Sequence, residues 1–191
     1  MGTERLEAFS DGVIAVIITI MVLELHAPHG IGPAALRPVL PVFLTYVLSF
    51  IYLGIYWSNH HHLLQAVEHV NGAVLWANLH LLFWLSLIPF TTAWAGENHF
   101  VAWPMAIYGM VLLLAAIAYY ILARTLIALH GRNSALARAL GRDFKNKVSA
   151  LLYAIAIPLA FVRSWLAGAL YVVVAIIWLI PDRRIERNIA R

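Results

Sequence analysis

The sequence contains no cysteine, which excludes disulfides, thiolate zinc sites, iron–sulfur clusters, covalently attached haem and any cysteine nucleophile. It is also poor in charge. Asp, Glu, Lys and Arg make up 12% of its 191 residues, about half the ~25% of ordinary soluble domains. The only hydrophilic stretch of any length runs from Gly131 to Lys147, which leaves no room for a soluble domain. No Ser/His/Asp set, glycine-rich phosphate loop or His-Glu-x-x-His pair occurs, so enzyme chemistry has no carrier.

Apolar residues are what the chain has in excess: 63% of the total, with a mean hydropathy of +0.83. A soluble core of this size cannot hide so many. The expected solvent is lipid and the expected fold an all-α integral membrane protein. The net charge of +4 does not indicate nucleic acid, because the basic residues fall in short loops between apolar segments rather than on one solvated face.

Six spans are predicted: Ala8 to Leu25, Val39 to Trp57, Gly72 to Trp94, Val101 to Leu129, Lys147 to Phe161 and Trp165 to Ile180. About 20 apolar residues cross about 30 Å of hydrocarbon, so the first four are long enough and the last two are short. Pro158 and Arg163 predict a tight turn between an antiparallel pair, since one continuous helix would carry Arg163 at mid-membrane. No internal repeat divides the spans, and residues 1–191 are read as a single six-span domain. Positive residues are retained on the cytoplasmic side. With both termini inside, eleven Lys and Arg lie inside (Arg5, Arg124, Arg132, Arg138, Arg142, Lys145, Lys147, Arg183, Arg184, Arg187 and Arg191) and only Arg37 and Arg163 outside. Leu136, Ala139 and Leu140 among Arg138 and Arg142 suggest a short interfacial helix. The N-terminus carries Glu4, Arg5, Glu7 and Asp11 with no convincing cleavage site, so segment one is expected to stay.

The polar residues inside the spans are costly in lipid and direct attention to function. On segment one, Phe9, Val16, Ile20 and Leu23 fall on one narrow helical face with Thr19 at its margin, while Asp11 lies nearly opposite. A carboxylate at the membrane edge needs a partner, and Arg5, His60 to His62, Asn78 and His80 are the candidates. At the end of segment two, Trp57, Asn59 and His60 to His62 precede Glu68 and His69. Consecutive histidines cannot all face one metal, but His60 or His61 with Glu68 or His69 could form a zinc or iron ligand set. Buried histidines bonded to Asn78, His80 or Asp11 are the plainer reading. Asn78 and His80 on segment three should face other helices, and Pro89 should kink that helix near its outer end.

Arg5-x-x-x-Phe9-Ser10-Asp11-Gly12 at the head of the first span resembles the signature of the transmembrane protein 175 family, the lysosomal potassium channels and their bacterial relatives. The stretches Trp57 to His61 and Asn78 to Phe90 are similar to the same family. The resemblance implies a homotetramer of six-span subunits, in the plasma membrane of a bacterium, whose first helices line a central pore. It implies a potassium-selective leak without a Thr-Val-Gly-Tyr-Gly filter, and no such string occurs here. Carried over by position, hydrophobic constriction layers fall at Val16, Ile20 and Leu23 with Thr19 as a polar layer. Arg5, Phe9, Ser10 and Asp11 become the bracing signature, and Trp57, His60, His61, Asn78 and His80 its bundle contacts. The permeant ion is potassium and no cofactor is implied. Two alternatives stand beside it: a histidine-rich metal or haem binder, and a small proton-coupled carrier using His80 and Asp11.

Overall fold

The computed structural model describes residues 2–131, 134, 136–137 and 144–179. Among them the chain is helical: α1 (Glu4–Leu23), a 3-10 turn (Pro33–Leu36), α2 (Leu40–Gln65), α3 (Gly72–Ser86), α4 (Ile88–Glu97), α5 (Ala102–His130), α6 (Phe144–Val162) and α7 (Ser164–Leu179). In hydrocarbon every backbone polar group must be satisfied within its own segment, which helices do.

α3 and α4 together form one span, Gly72–Glu97. The break falls at Leu87, two residues before Pro89, which sits in the first turn of α4, where its missing N–H costs nothing. The Asn71 side chain caps α3 by accepting from the Val74 N–H. Five spans have 18 residues or more, and α7 has 16 within the described region. α2 runs eight residues past its expected end at Trp57 and carries all three consecutive histidines in helix.

Pro158 lies inside α6 rather than at the turn. The turn is a single residue, Arg163, whose N–H bonds the Leu159 carbonyl at 2.8 Å. The Trp178 indole N–H donates to Ser149 at 2.8 Å and the Tyr153 and Tyr171 rings lie 6.2 Å apart, which makes α6 and α7 an antiparallel pair. Much of the stretch 131–147 expected to hold an interfacial helix, and most of the basic residues that set the orientation, lie outside the described residues.

Lipid tails are as apolar as leucine, so helices join through close packing and polar contacts rather than through hydrophobic burial. α5 is the hub and its buried face is rich in small residues: Ala106, Gly109, Ala115, Ala116, Ala118 and Ala123. Tyr171 presses onto Gly109 and donates to the Met105 carbonyl at 2.9 Å. Ser49 of α2 bonds Thr92 of α4 at 2.6 Å and Tyr108 of α5 at 2.9 Å. α1 stands apart from this arrangement, packing only along one side, through Leu6, Ser10, Ile14, Ile17 and Met21.

Candidate functional site

The free side of α1 carries the apolar face read from helical spacing. Phe9, Val16, Ile20 and Leu23 are exposed by 51, 55, 43 and 74%, whereas Ile17, next to Val16 and about 100° round the helix, is exposed by 4%. Gly12 and Thr19 share the free side. Thr19 donates its hydroxyl proton to the Val16 carbonyl at 2.9 Å, so only its oxygen lone pairs face outward. Beside this face a groove of about 980 Å³ runs between α1 and α4, lined by Phe9, Val16, Ile20, Phe90 and Trp94, with Glu24 and Glu97 at one end.

The packed side of α1 is held by a directional hydrogen-bond chain. The His60 Nε2–H donates to Asn78 Oδ1 at 2.7 Å, Asn78 Nδ2 donates to Ser10 Oγ at 2.9 Å, and Ser10 donates to the Leu6 carbonyl at 2.8 Å. Because the Asn78 amide spends its N–H on Ser10, its oxygen accepts and His60 must be the donor. All three side chains are fully buried. The chain ties α1, α2 and α3 together at one level.

A second layer joins α1 to α2 beside the first, its residues bracketing Ser10 on α1 and His60 on α2. The Trp57 indole N–H donates to Asp11 at 3.0 Å, and His61 Nδ1 lies 2.5 Å from a Glu7 carboxylate oxygen. The Trp57 and His61 rings stack 6.1 Å apart at 18°. Glu7 and Asp11 are one turn apart on α1, as Trp57 and His61 are on α2, so two antiparallel helices meet through matched i, i+4 pairs. Reading Asp11 alone missed Glu7, and this matched spacing was the available signal.

Several expectations need correction. Asp11 takes its hydrogen bond from Trp57, not from Arg5, a histidine or Asn78. Arg5 is exposed and has no hydrogen bond or ion pair to the described residues. His80 does not face another helix of its own chain; it is exposed and accepts from the Trp84 indole one turn along α3 at 2.9 Å. The ligand set drawn from His60 or His61 with Glu68 or His69 does not come together, because His60 and His61 are committed to Asn78 and Glu7 while His69 lies against His130. Among the described residues no three His, Asp or Glu side chains converge as a metal site.

A bundle of apolar helices, bound within by buried polar bridges and leaving one helix free along an apolar face, defines a polytopic helical membrane protein. The family described as endosomal/lysosomal potassium channel TMEM175 matches residues 5–89, the stretch that holds both bracing layers. A protein of Chryseobacterium sp. named a potassium channel is 55% identical over 189 residues, covering 99% of this chain and 98% of its own length. One from Chamaesiphon minutus, also named a potassium channel, is 30% identical over 194 residues, covering 91% and 92%. The crystal structure of a lysosomal potassium-selective channel TMEM175 homolog from Chamaesiphon minutus superposes with a TM-score of 0.77 at 27% identity, over 93% of this chain and 96% of that one. The chain belongs to the TMEM175 family.

Proposed function

We propose that the protein is a potassium-selective leak channel, a homotetramer of one six-span unit over residues 1–191, with four α1 helices around a central pore. The observation that carries this reading is the free apolar face of α1: a span packed on one side only, whose opposite side leaves Val16, Ile20 and Leu23 exposed beside an open groove. One subunit cannot enclose a water path with a single face, and the groove between α1 and α4 leaves space beside that face for a second copy. The relatives named potassium channels, and the fold shared with the solved channel, support the channel reading.

In this mechanism Val16, Ile20 and Leu23 form stacked rings. An ion entering an apolar ring must shed water and finds no replacing ligand, so the ring opposes passage by dewetting. Potassium sheds its hydration shell at lower cost than sodium, which favours it at any narrow, weakly coordinating constriction. Thr19, with its proton held by the Val16 carbonyl, offers only oxygen lone pairs to the axis and suits a cation. Ser10, Asp11 and Glu7 set the tilt of α1 through the two bracing layers, and Glu24 at the outer end attracts cations. The basic loops orient the protein with both termini in the cytoplasm, across the bacterial inner membrane. Potassium is the permeant ion and no cofactor takes part.

The test is flux from vesicles reconstituted with pure protein, potassium against sodium. Val16→Asn hydrates the ring and raises basal potassium flux per folded channel. Ile17→Asn, directed into the core, lowers folded yield without raising flux per channel. Equal flux from the two variants would remove α1 from the pore and end this mechanism.

A further inference from the structure

We infer that His69 and His130 form a binding site for a divalent cation of the zinc type, at the end of the bundle where α1 begins. The two residues come from different elements: His69 from the connection between α2 and α3, His130 from the last turn of α5. Their rings lie with centroids 4.6 Å apart, tilted by 47°. This site is separate from the bracing layers and from the free face of α1.

The geometry of His130 decides its chemistry. α5 ends at Gly131, whose φ of 90° only glycine adopts without strain and whose N–H closes the helix on the Ile127 carbonyl at 2.9 Å. One residue earlier, His130 Nδ1 lies 3.0 Å from the Leu126 carbonyl. A carbonyl only accepts, so Nδ1 carries the proton and the neutral ring presents a bare lone pair at Nε2. That Nε2 is shut off from solvent and has no hydrogen-bond partner among the described residues. A backbone carbonyl on one ring nitrogen is the usual device that fixes a metal-ligating histidine in the right tautomer.

His69 is held in place by its neighbours. Val67 and Val70 are buried in the core, and Asn71 is pinned as the N-cap of α3, so the exposed His69 sits on an anchored connection beside His130. Imidazole nitrogens bind zinc at about 2.0–2.1 Å, which places two rings on one tetrahedral ion with centroids roughly 5 Å apart. Copper and nickel accept the same donors, whereas magnesium and calcium prefer oxygen. No third His, Asp or Glu joins the pair among the described residues. The site's occupant ties the α2–α3 connection to the end of α5.

The test uses full-length protein in detergent without a polyhistidine tag, titrated with Co²⁺ as a visible probe and with Zn²⁺ in competition. Wild-type protein is expected to show a Co²⁺ site that Zn²⁺ displaces. His130→Ala and His69→Ala each weaken it by at least the roughly tenfold that loss of even an outer-shell partner costs. His62→Ala is the control, since His62 is exposed and its Nδ1 bonds the Ser58 carbonyl; this variant retains wild-type binding. Unchanged binding in both single variants overturns the site. A second measurement needs no variant: Zn²⁺ protects His69 of the wild-type protein from diethyl pyrocarbonate, read by peptide mass spectrometry, while His62 stays reactive. Absence of that protection also overturns the site. Neither experiment reads ion flux, so its failure leaves the channel mechanism standing, and the reverse holds.

Discussion

Replacing Asn78 with leucine removes the central member of the buried chain that locks α1 to α2 and α3. Two interhelical hydrogen bonds disappear, from His60 at 2.7 Å and to Ser10 at 2.9 Å. Bonds of this kind inside membrane proteins average about 0.6 kcal/mol and reach about 1.7, so the pair contributes about 1 to 3 kcal/mol. The stranded group adds to this. Ser10 keeps its own bond to the Leu6 carbonyl, but His60, fully buried and already without a partner at Nδ1, is left with neither nitrogen satisfied. An orphaned buried donor costs about 1–3 kcal/mol. The expected loss is about 2–6 kcal/mol, or roughly 4–24 °C for a chain of this size, measured as thermal loss of the folded peak in detergent. Ser10→Ala, which orphans only one amide N–H of Asn78, should cost about half as much. The double variant should cost less than the sum of the two singles, because both break the same bond. Strict additivity, or an Asn78→Leu variant as stable as wild type, would refute the claim that this chain braces α1.

The remaining predictions address packing, the second brace and assembly. A Cβ on Gly96 would stand 2.6 Å from the Val42 Cα and 2.6 Å from Thr45 Oγ1, so Gly96→Ala should force α4 away from α2 and cost about 1–3 kcal/mol in a thermal melt. Gly109→Ala should displace the Tyr171 hydroxyl, into which a new Cβ would run, and the same melt should fall by a similar amount. Trp57→Phe should destabilise more than Asp11→Asn, because the first leaves a carboxylate without its donor while the second keeps an acceptor oxygen for the indole. Mass measurement of the purified protein in mild detergent should give four copies, and a stable monomer would sink the shared pore. Arg5→Ala should leave the subunit melt unchanged, since Arg5 touches no described residue of its own chain through a polar contact.

The candidate site divides according to the kind of information it needs. The free face of α1 depends on a period of 3.6 residues within one segment, and Phe9, Val16, Ile20 and Leu23 could therefore be grouped before any neighbour was known. The bracing residues depend on which helix lies beside which. Asp11 was recognisable as a group in need of a partner, yet Trp57 as that partner, and Glu7 with His61 one turn away, required the register of α1 against α2. His80 shows the converse: its polarity in a span argued for contact with another helix, and the fold turned it outward onto Trp84 of its own helix.

Membrane residence and helical class followed from composition and segment length, because hydrocarbon admits few ways of satisfying a backbone and those few leave a one-dimensional trace. The same holds for the amphipathic split of α1 and for proline's effect near Leu87. Tertiary structure alone decided the pairings: Ser10 with Asn78 and His60, Ser49 with Thr92 and Tyr108, Tyr171 on Gly109, His69 against His130. Each joins residues from separate elements, so each depends on how the helices cross and rotate. Those are set by small residues and polar bridges acting together, in a solvent that gives apolar surface no preference between protein and lipid.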